Sequence, residues 1–343
     1  MEKKNIDWGS LGFGYVQTDY RYVSNFKNGA WDDGEITTDP NVVLNECAGV
    51  LQYAQTVFEG MKAYKTEDGR TLLFRPEMNA KRFQKSNARL CMPEVPVEDF
   101  IQAVADLVKK EEAWIPTQPG TSLYIRPFMF AYQAKLGVHA ADHYKFMVIL
   151  SPVGSYYKEG LKPVSIYVEE ELVRAVKGGT GFTKCGGNYA ASILAQMKAE
   201  AMGYSQVLWL DGIEHKYVEE VGTMNAMFVI DGKIVTAPLD GSLLPGVTRD
   251  SMIHLLKSKG YTVEERPLSI DELMDAAKTG KLSEAFGTGT AAVISPIGKL
   301  AYKDEVFFDN NKIGPISQML YDTLTGIQTG KLEDTFGWTY EVK

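Results

Sequence analysis

Residues 178–189 read Gly-Gly-Thr-Gly-Phe-Thr-Lys-Cys-Gly-Gly-Asn-Tyr, one lysine set among five glycines. Glycine lets backbone run close to a ligand and adopts positive φ at no steric cost. A lysine is ordinarily a solvated surface charge on a flexible stem. Enclosed between structured segments, the amine of Lys184 could lose its proton and form an imine with a carbonyl; the plain alternative is a turn with an exposed lysine. The run Glu219-Glu220-Val221-Gly222-Thr223-Met224-Asn225 then sets Glu220 beside a Val-Gly-Thr turn in an apolar region. A strand-end glutamate usually faces water; a buried one could face a protonated ring nitrogen. Two further turns offer backbone N–H groups to a phosphate. Leu244-Pro245-Gly246-Val247-Thr248 opens a helix, whose first turn attracts anions, and Phe286-Gly287-Thr288-Gly289-Thr290-Ala291-Ala292 adds hydroxyls.

The elements that must position these residues alternate along the chain. Strands are expected at 71–74, 122–127 (ended by Pro127), 145–150, 164–168 and 206–210, and helices at 79–90 and 97–112. A helix over 190–204 follows the glycine run, with Ile193, Leu194, Met197 and Ala201 on one face. Asp231-Gly232 between two apolar runs signals a hairpin. Helices are expected at about 247–259, 270–279 and 315–328, with Ser269 and Glu272 at capping-box spacing. The proline- and glycine-bearing stretch 151–163 reads as a linker. Interleaved strands and helices make the class mixed α and β.

Composition narrows the function. The chain has 343 residues, enough for two domains. A net charge of −8 disfavours nucleic acid and anionic membrane as partners. Residues after Met1 show no apolar signal segment, and no apolar run approaches a membrane span. Three cysteines (Cys47, Cys91 and Cys185) without a paired motif point to a reducing cytoplasm. Four scattered histidines offer no metal-ligand spacing, so no metal is expected; His215 reads as a surface-loop residue. Neither a dinucleotide-binding glycine fingerprint nor a P-loop is present.

Five stretches then stand in order: Val57-Phe58-Glu59-Gly60-Met61-Lys62-Ala63, Leu73-Phe74-Arg75-Pro76, Gly120-Thr121-Ser122-Leu123-Tyr124-Ile125-Arg126-Pro127, Lys184-Cys185-Gly186-Gly187-Asn188-Tyr189 and Glu220-Val221-Gly222-Thr223-Met224-Asn225. Together they resemble the branched-chain amino-acid aminotransferases, within the class IV (fold type IV) pyridoxal phosphate enzymes, over nearly the whole chain. The resemblance implies an α+β, two-domain fold type IV enzyme. A smaller N-terminal α/β domain would span 1–157, a linker and first strand 158–168, and a larger C-terminal cofactor-binding domain with a barrel-like sheet 169–343, the cofactor lying at the domain interface. It implies transamination of L-leucine, L-isoleucine and L-valine with 2-oxoglutarate, in the cytoplasm. Lys184 would be the Schiff-base lysine and proton shuttle. Glu220 would face the pyridine nitrogen and Tyr189 the ring hydroxyl oxygen. Arg82, Val247, Thr248 and Thr290 would hold the phosphate, with Arg174 close by.

Phe13, Tyr53, Phe58, Tyr124 and Tyr156 would line an apolar substrate pocket, and Thr223, Ala291 and Ala292 would receive the substrate carboxylate. With Tyr124, Arg126 would meet the side-chain carboxylate of glutamate; a structural ion pair is the alternative. The family also implies a homodimer in which Leu136 and Val138 reach the neighbouring site. Mammalian relatives carry a redox-sensitive pair of cysteines where this chain has Ala292-Val293-Ile294-Ser295, so a thiol switch there is not expected. Two other readings remain: another class IV enzyme (a D-amino-acid or amine transaminase, or an aminodeoxychorismate lyase), and a non-catalytic phosphate-binding module.

Overall fold

The structure, a computed structural model, describes residues 6–154, 161–303 and 305–343. Tyr156 and the expected domain boundary at 157–158 lie outside the described residues. The strands are β1 (Arg21–Lys27), β2 (Ala30–Trp31), β3 (Glu35–Thr37), β4 (Thr56–Phe58), β5 (Met61–Lys65), β6 (Thr71–Phe74), β7 (Ser122–Ala131), β8 (Tyr144–Val153), β9 (Val164–Val168), β10 (Gln206–Leu210), β11 (Val218–Val221), β12 (Met224–Ile230), β13 (Lys233–Thr236), β14 (Val263–Glu265), β15 (Leu282–Gly289), β16 (Val293–Tyr302), β17 (Glu305–Asp309) and β18 (Thr339–Glu341). The helices are α1 (Gly49–Tyr53), α2 (Pro76–Arg89), α3 (Val97–Lys110), α4 (Gly186–Ala201), α5 (Val247–Ser258), α6 (Ile270–Lys278) and α7 (Pro315–Gln328). No helix among the described residues is long and apolar enough to cross a membrane.

The chain forms two compact units. Among the described residues the first runs to Gly154 and takes in Thr183–Gly186 and Gly326–Lys343 as well. Its nine-stranded antiparallel sheet runs β18-β6-β5-β7-β8-β1-β2, with β3 on β1 and β4 on β7. Phe83 of α2 and Phe100 of α3 pack on Phe146 of β8 at the centre of its core. The expected stop of β7 at Pro127 does not occur. β5 pairs with 123–125 and β4 with 128–130, so Pro127 falls where the neighbour changes and its missing N–H breaks no ladder on that side.

In the second unit the path β11-β10-β9-β16-β15-β12 returns to β11, closing six strands into a barrel, with β13, β14 and β17 appended. Asp231 and Gly232 both take positive φ, as the β12–β13 hairpin requires. Ser269 Oγ accepts the N–H of Glu272 at 3.1 Å and caps α6. The apolar face expected of the 190–204 helix is not the buried one. α4 starts at Gly186 and buries Ala195 and Ala199 beside Val207 and Trp209, while Ile193, Leu194 and Met197 are exposed. Small side chains let a helix sit close to a sheet, which leaves the larger apolar ones outside in a single chain.

Candidate functional site

In the first unit, residues 183–186 lie beside β4 like an extra strand. Val57 bridges to Cys185, the Phe58 N–H donates to the Lys184 carbonyl at 3.0 Å, and the Lys184 N–H donates to Ser86 Oγ on α2, also at 3.0 Å. Cys185 is buried in the apolar core as packing. Lys184 is only partly buried, but its amine lies 4.7 Å from the centre of the Phe58 ring. Burial, then the cation of Arg82, push that amine down to about 8, against the pull of Glu59 and Tyr124. Near pH 8 about half of such amines carry a lone pair, whereas an ordinary lysine at that pH is almost wholly protonated.

Two arginines share this unit with the amine. Arg82 is gripped by fully buried Glu59 through two bonds, Nε to Oε1 at 2.8 Å and Nη2 to Oε2 at 2.7 Å. Asn79 Nδ2 donates to Oε2 as well, at 2.8 Å. This fork fixes the guanidinium plane. Among the described residues Arg126 has no ion-pair partner. It stacks over Phe58 and Tyr124, with centroids 4.9 and 5.3 Å away, and donates to Tyr124 Oη at 3.0 Å. Its Nε is buried without a partner among the described residues, which leaves a donor for an incoming anion. Phe13 meets the Tyr124 ring edge-on at 5.2 Å. Both line a mainly apolar cavity of about 210 Å³ with Arg126, Ile149 and Val153.

Gly60 makes room for this arrangement, since a Cβ there would lie 2.2 Å from Tyr124 Oη. Gly60→Ala is therefore expected to cost about 1–2 kcal/mol of stability by overpacking. In a Tyr124→Phe background the obstructing oxygen is gone and the cost should fall by at least half. Urea midpoints of the four proteins measure this; equal costs in both backgrounds would show that the clash lies elsewhere.

In the second unit, Glu220 is buried on β11. Its Oε2 is 3.2 Å from Arg174 Nε, and its Oε1 accepts the Leu244 N–H at 2.8 Å and Asn225 Nδ2 at 3.3 Å. Gly222 and Thr223 turn β11 into β12 with positive φ at Gly222, where a Cβ would strike Gln206 Oε1. Arg174, Tyr189, Glu220 and Thr223 line one cleft together with Asn188 and Ser192. Three residues past Leu244, α5 starts at Val247 and Thr248 with no side-chain cap, so its first-turn N–H groups are available to an anion. Thr290, Ala291 and Ala292 form the turn between β15 and β16. Val293 follows with φ +64, and the Ile294 N–H reaches back to the Ala292 carbonyl at 2.8 Å. A β-branched residue rarely holds that conformation.

The structure thus groups Phe13, Phe58, Arg82, Tyr124, Arg126 and Lys184 in the first unit, and Arg174, Tyr189, Glu220 and Thr223 in the second. Tyr53 Oη accepts the Gly137 N–H at 3.0 Å and steadies the loop carrying exposed Leu136 and Val138. Glu59, Asn79, Ser86, Asn225 and Ser242 escaped the sequence reading. Glu59, within the Phe-Glu-Gly-Met-Lys run, and Asn225, at the end of the Glu220–Asn225 run, left a signal there. The others are short polar residues whose partners are distant in sequence. Among the described residues no His, Cys, Asp or Glu cluster could hold a metal.

The family model described as "Amino-transferase class IV" matches residues 56–300. Branched-chain-amino-acid aminotransferase 2 of Bacillus subtilis (strain 168) is 54% identical over 99% of this chain and 94% of its own length. The Escherichia coli branched-chain amino acid aminotransferase superposes with a TM-score of 0.77 at 27% identity, covering 95% of this chain and 99% of its own. A branched-chain amino acid aminotransferase from T.th., solved as a complex with N-(5'-phosphopyridoxyl)-L-glutamate, gives a TM-score of 0.75 at 28% identity, covering 93% of this chain and 98% of its own.

Proposed function

The chain belongs to the class IV amino-transferases, among the branched-chain-amino-acid aminotransferases, and on that premise we propose that it moves the amino group of L-leucine, L-isoleucine and L-valine to 2-oxoglutarate, yielding branched-chain 2-oxo acids and L-glutamate. Pyridoxal 5'-phosphate, when bound, supplies a reactive carbonyl and an electron sink for the substrate's α-carbon. The observation that carries the reading is the placement of Lys184, bonded beside β4 and α2 with its amine 4.7 Å from the centre of the Phe58 ring, where burial and Arg82 lower its proton affinity and suit it both to attack a carbonyl and to take up and return a proton.

The residues present fit that cofactor. Glu220, buried with Arg174, would hold a proton on the ring nitrogen. Tyr189 would bond the ring hydroxyl oxygen. Arg82, the uncapped start of α5 at Val247 and Thr248, and Thr290 would hold the phosphate dianion. On the substrate side, Phe13, Phe58 and Tyr124 offer an aliphatic side chain apolar surface, at about 0.8 kcal/mol per buried CH₂. Thr223, Ala291 and Ala292 would receive the α-carboxylate, and Arg126 the second carboxylate of glutamate. The relative solved with phosphopyridoxyl-glutamate supports both the cofactor and glutamate. The same reading makes the protein a cytoplasmic homodimer in which Leu136 and Val138, 70% and 86% exposed, reach toward the second copy.

Borohydride reduction of the purified yellow protein tests the central assignment. The expected result is loss of colour with the reduced cofactor's mass fixed on the peptide carrying Lys184. Label on any other lysine, or none, would remove the basis of the reading.

A further inference from the structure

Glu219, beside the proposed cofactor acid, is 6% exposed, and its Oε2 is buried without a hydrogen-bond partner among the described residues. Its Oε1 contacts Ser242 Oγ, and Ser242 Oγ lies 3.1 Å from Asp240 Oδ1. One hydroxyl proton therefore faces two carboxylate oxygens. If both acids are ionised, one contact has no proton. If Glu219 carries a proton on Oε1, it donates to Ser242 Oγ, Ser242 donates to Asp240, and both contacts are filled.

Ser242 is also a junction. Its carbonyl accepts Arg174 Nη2 at 2.6 Å, and Arg174 Nε lies 3.2 Å from Glu220 Oε2. Two residues on, the Leu244 N–H holds Glu220 Oε1 at 2.8 Å, while its carbonyl accepts Asn225 Nδ2 at 3.0 Å. Gly246 packs so tightly on Asn225 that a Cβ would lie 2.1 Å from its Oδ1. The loop 240–246 is thereby fastened just before α5 begins.

We propose that Glu219 is a positioning residue that carries a proton and, through Ser242, latches the loop that sets both the Glu220 carboxylate and the start of α5. The consequence for the cofactor rests on the reading of those two groups given above. Arg174, Glu220 and Asp240 act on Glu219 electrostatically, and Glu219 and Asp240 line a cavity of about 250 Å³ together with Lys177, Asp211, Glu214 and Tyr217. Burial lifts the Glu219 carboxyl to about 7, with Glu220 and Asp240 adding to the rise and Ser242 and Arg174 opposing it. The latch is thus closed below that pH and opens as the pH climbs through it.

The test starts without cofactor. In the apoprotein at pH 6.5, infrared difference spectra against Glu219→Gln should show a protonated carboxyl band that titrates away by pH 8. Over the same range, hydrogen exchange of 242–250 should accelerate beyond the intrinsic pH effect in the wild type. Glu219→Gln, whose amide can still donate to Ser242, should stay protected throughout, and Ser242→Ala should exchange fast even at pH 6.5. Pyridoxal phosphate titrated against protein fluorescence should then bind the wild type up to about tenfold more weakly per pH unit, relative to Glu219→Gln. Absence of the band, or parallel exchange profiles in wild type and Glu219→Gln, would overturn the latch. Failure of the wild type to bind pyridoxal phosphate would instead overturn the site reading, while the band and the exchange still decide the latch.

Discussion

Lys184→Ala is expected to lower transamination of L-leucine at least about 10³-fold while the protein stays folded. In the proposed mechanism the nucleophile and the proton carrier are the same nitrogen, so no neighbouring group could replace either role. Lys62, also buried and also lowered to about 8, lies on β5 and is the obvious competitor. If Lys62→Ala abolished activity and Lys184→Ala kept turnover within tenfold of wild type, the assignment would move to Lys62. Stability should not suffer from the Lys184 change. The folded amine holds its proton less tightly than the unfolded one, with about 8 against an ordinary 10.5. The unfolded state therefore binds more protons between those values, and this lysine's contribution to stability rises with pH across that window and is least favourable below it. Removing the amine takes away an unfavourable charge at pH 7, so the apoprotein's Tm is expected to hold or rise slightly. By the same proton count, capture of an aldehyde by wild-type Lys184 should climb from pH 6 to about 8 and then level off.

Arg126→Leu should separate the two half-reactions. On the proposed reading, glutamate would bring a second carboxylate into a mainly apolar cavity, and a charge buried there needs a partner. Arg126 offers its unpartnered Nε in a guanidinium already held by Tyr124 Oη and by two ring faces. Leucine brings no such charge. The loss in kcat/KM is expected to be about 2–4 kcal/mol for glutamate and less than about 1 for leucine. Single-turnover conversion of the yellow form by each amino acid measures both numbers. Equal losses would make Arg126 a structural residue, with glutamate recognised elsewhere.

Local chemistry was legible in the sequence wherever it depends on neighbours along the chain. The glycine run around Lys184, the Asp231-Gly232 turn, the Ser269 cap and the uncapped Gly246-Val247-Thr248 start are short-range features, and the fold reproduces the elements they imply. Their order also sufficed to suggest the class IV family. Contacts between distant segments were not legible. Residues 183–186 belong with the first unit because Val57, Phe58 and Ser86 bond them, although the chain on either side belongs to the second. Gly326–Lys343 joins the first unit because β18 pairs with β6. Pro127 reads locally as a strand end, yet β7 runs on because that position needs no donor toward β4 or β5. The apolar stripe of α4 reads as buried, yet two alanines face the sheet because they allow the closer approach. Periodicity reports which residues are apolar, but tertiary packing decides which face is covered. The sequence named Lys184 and Glu220 as candidates. The proton affinity of Lys184 depends on Arg82 and Glu59, and the bonding of Glu220 on Arg174 and the 240–246 loop, which only folding brings beside them.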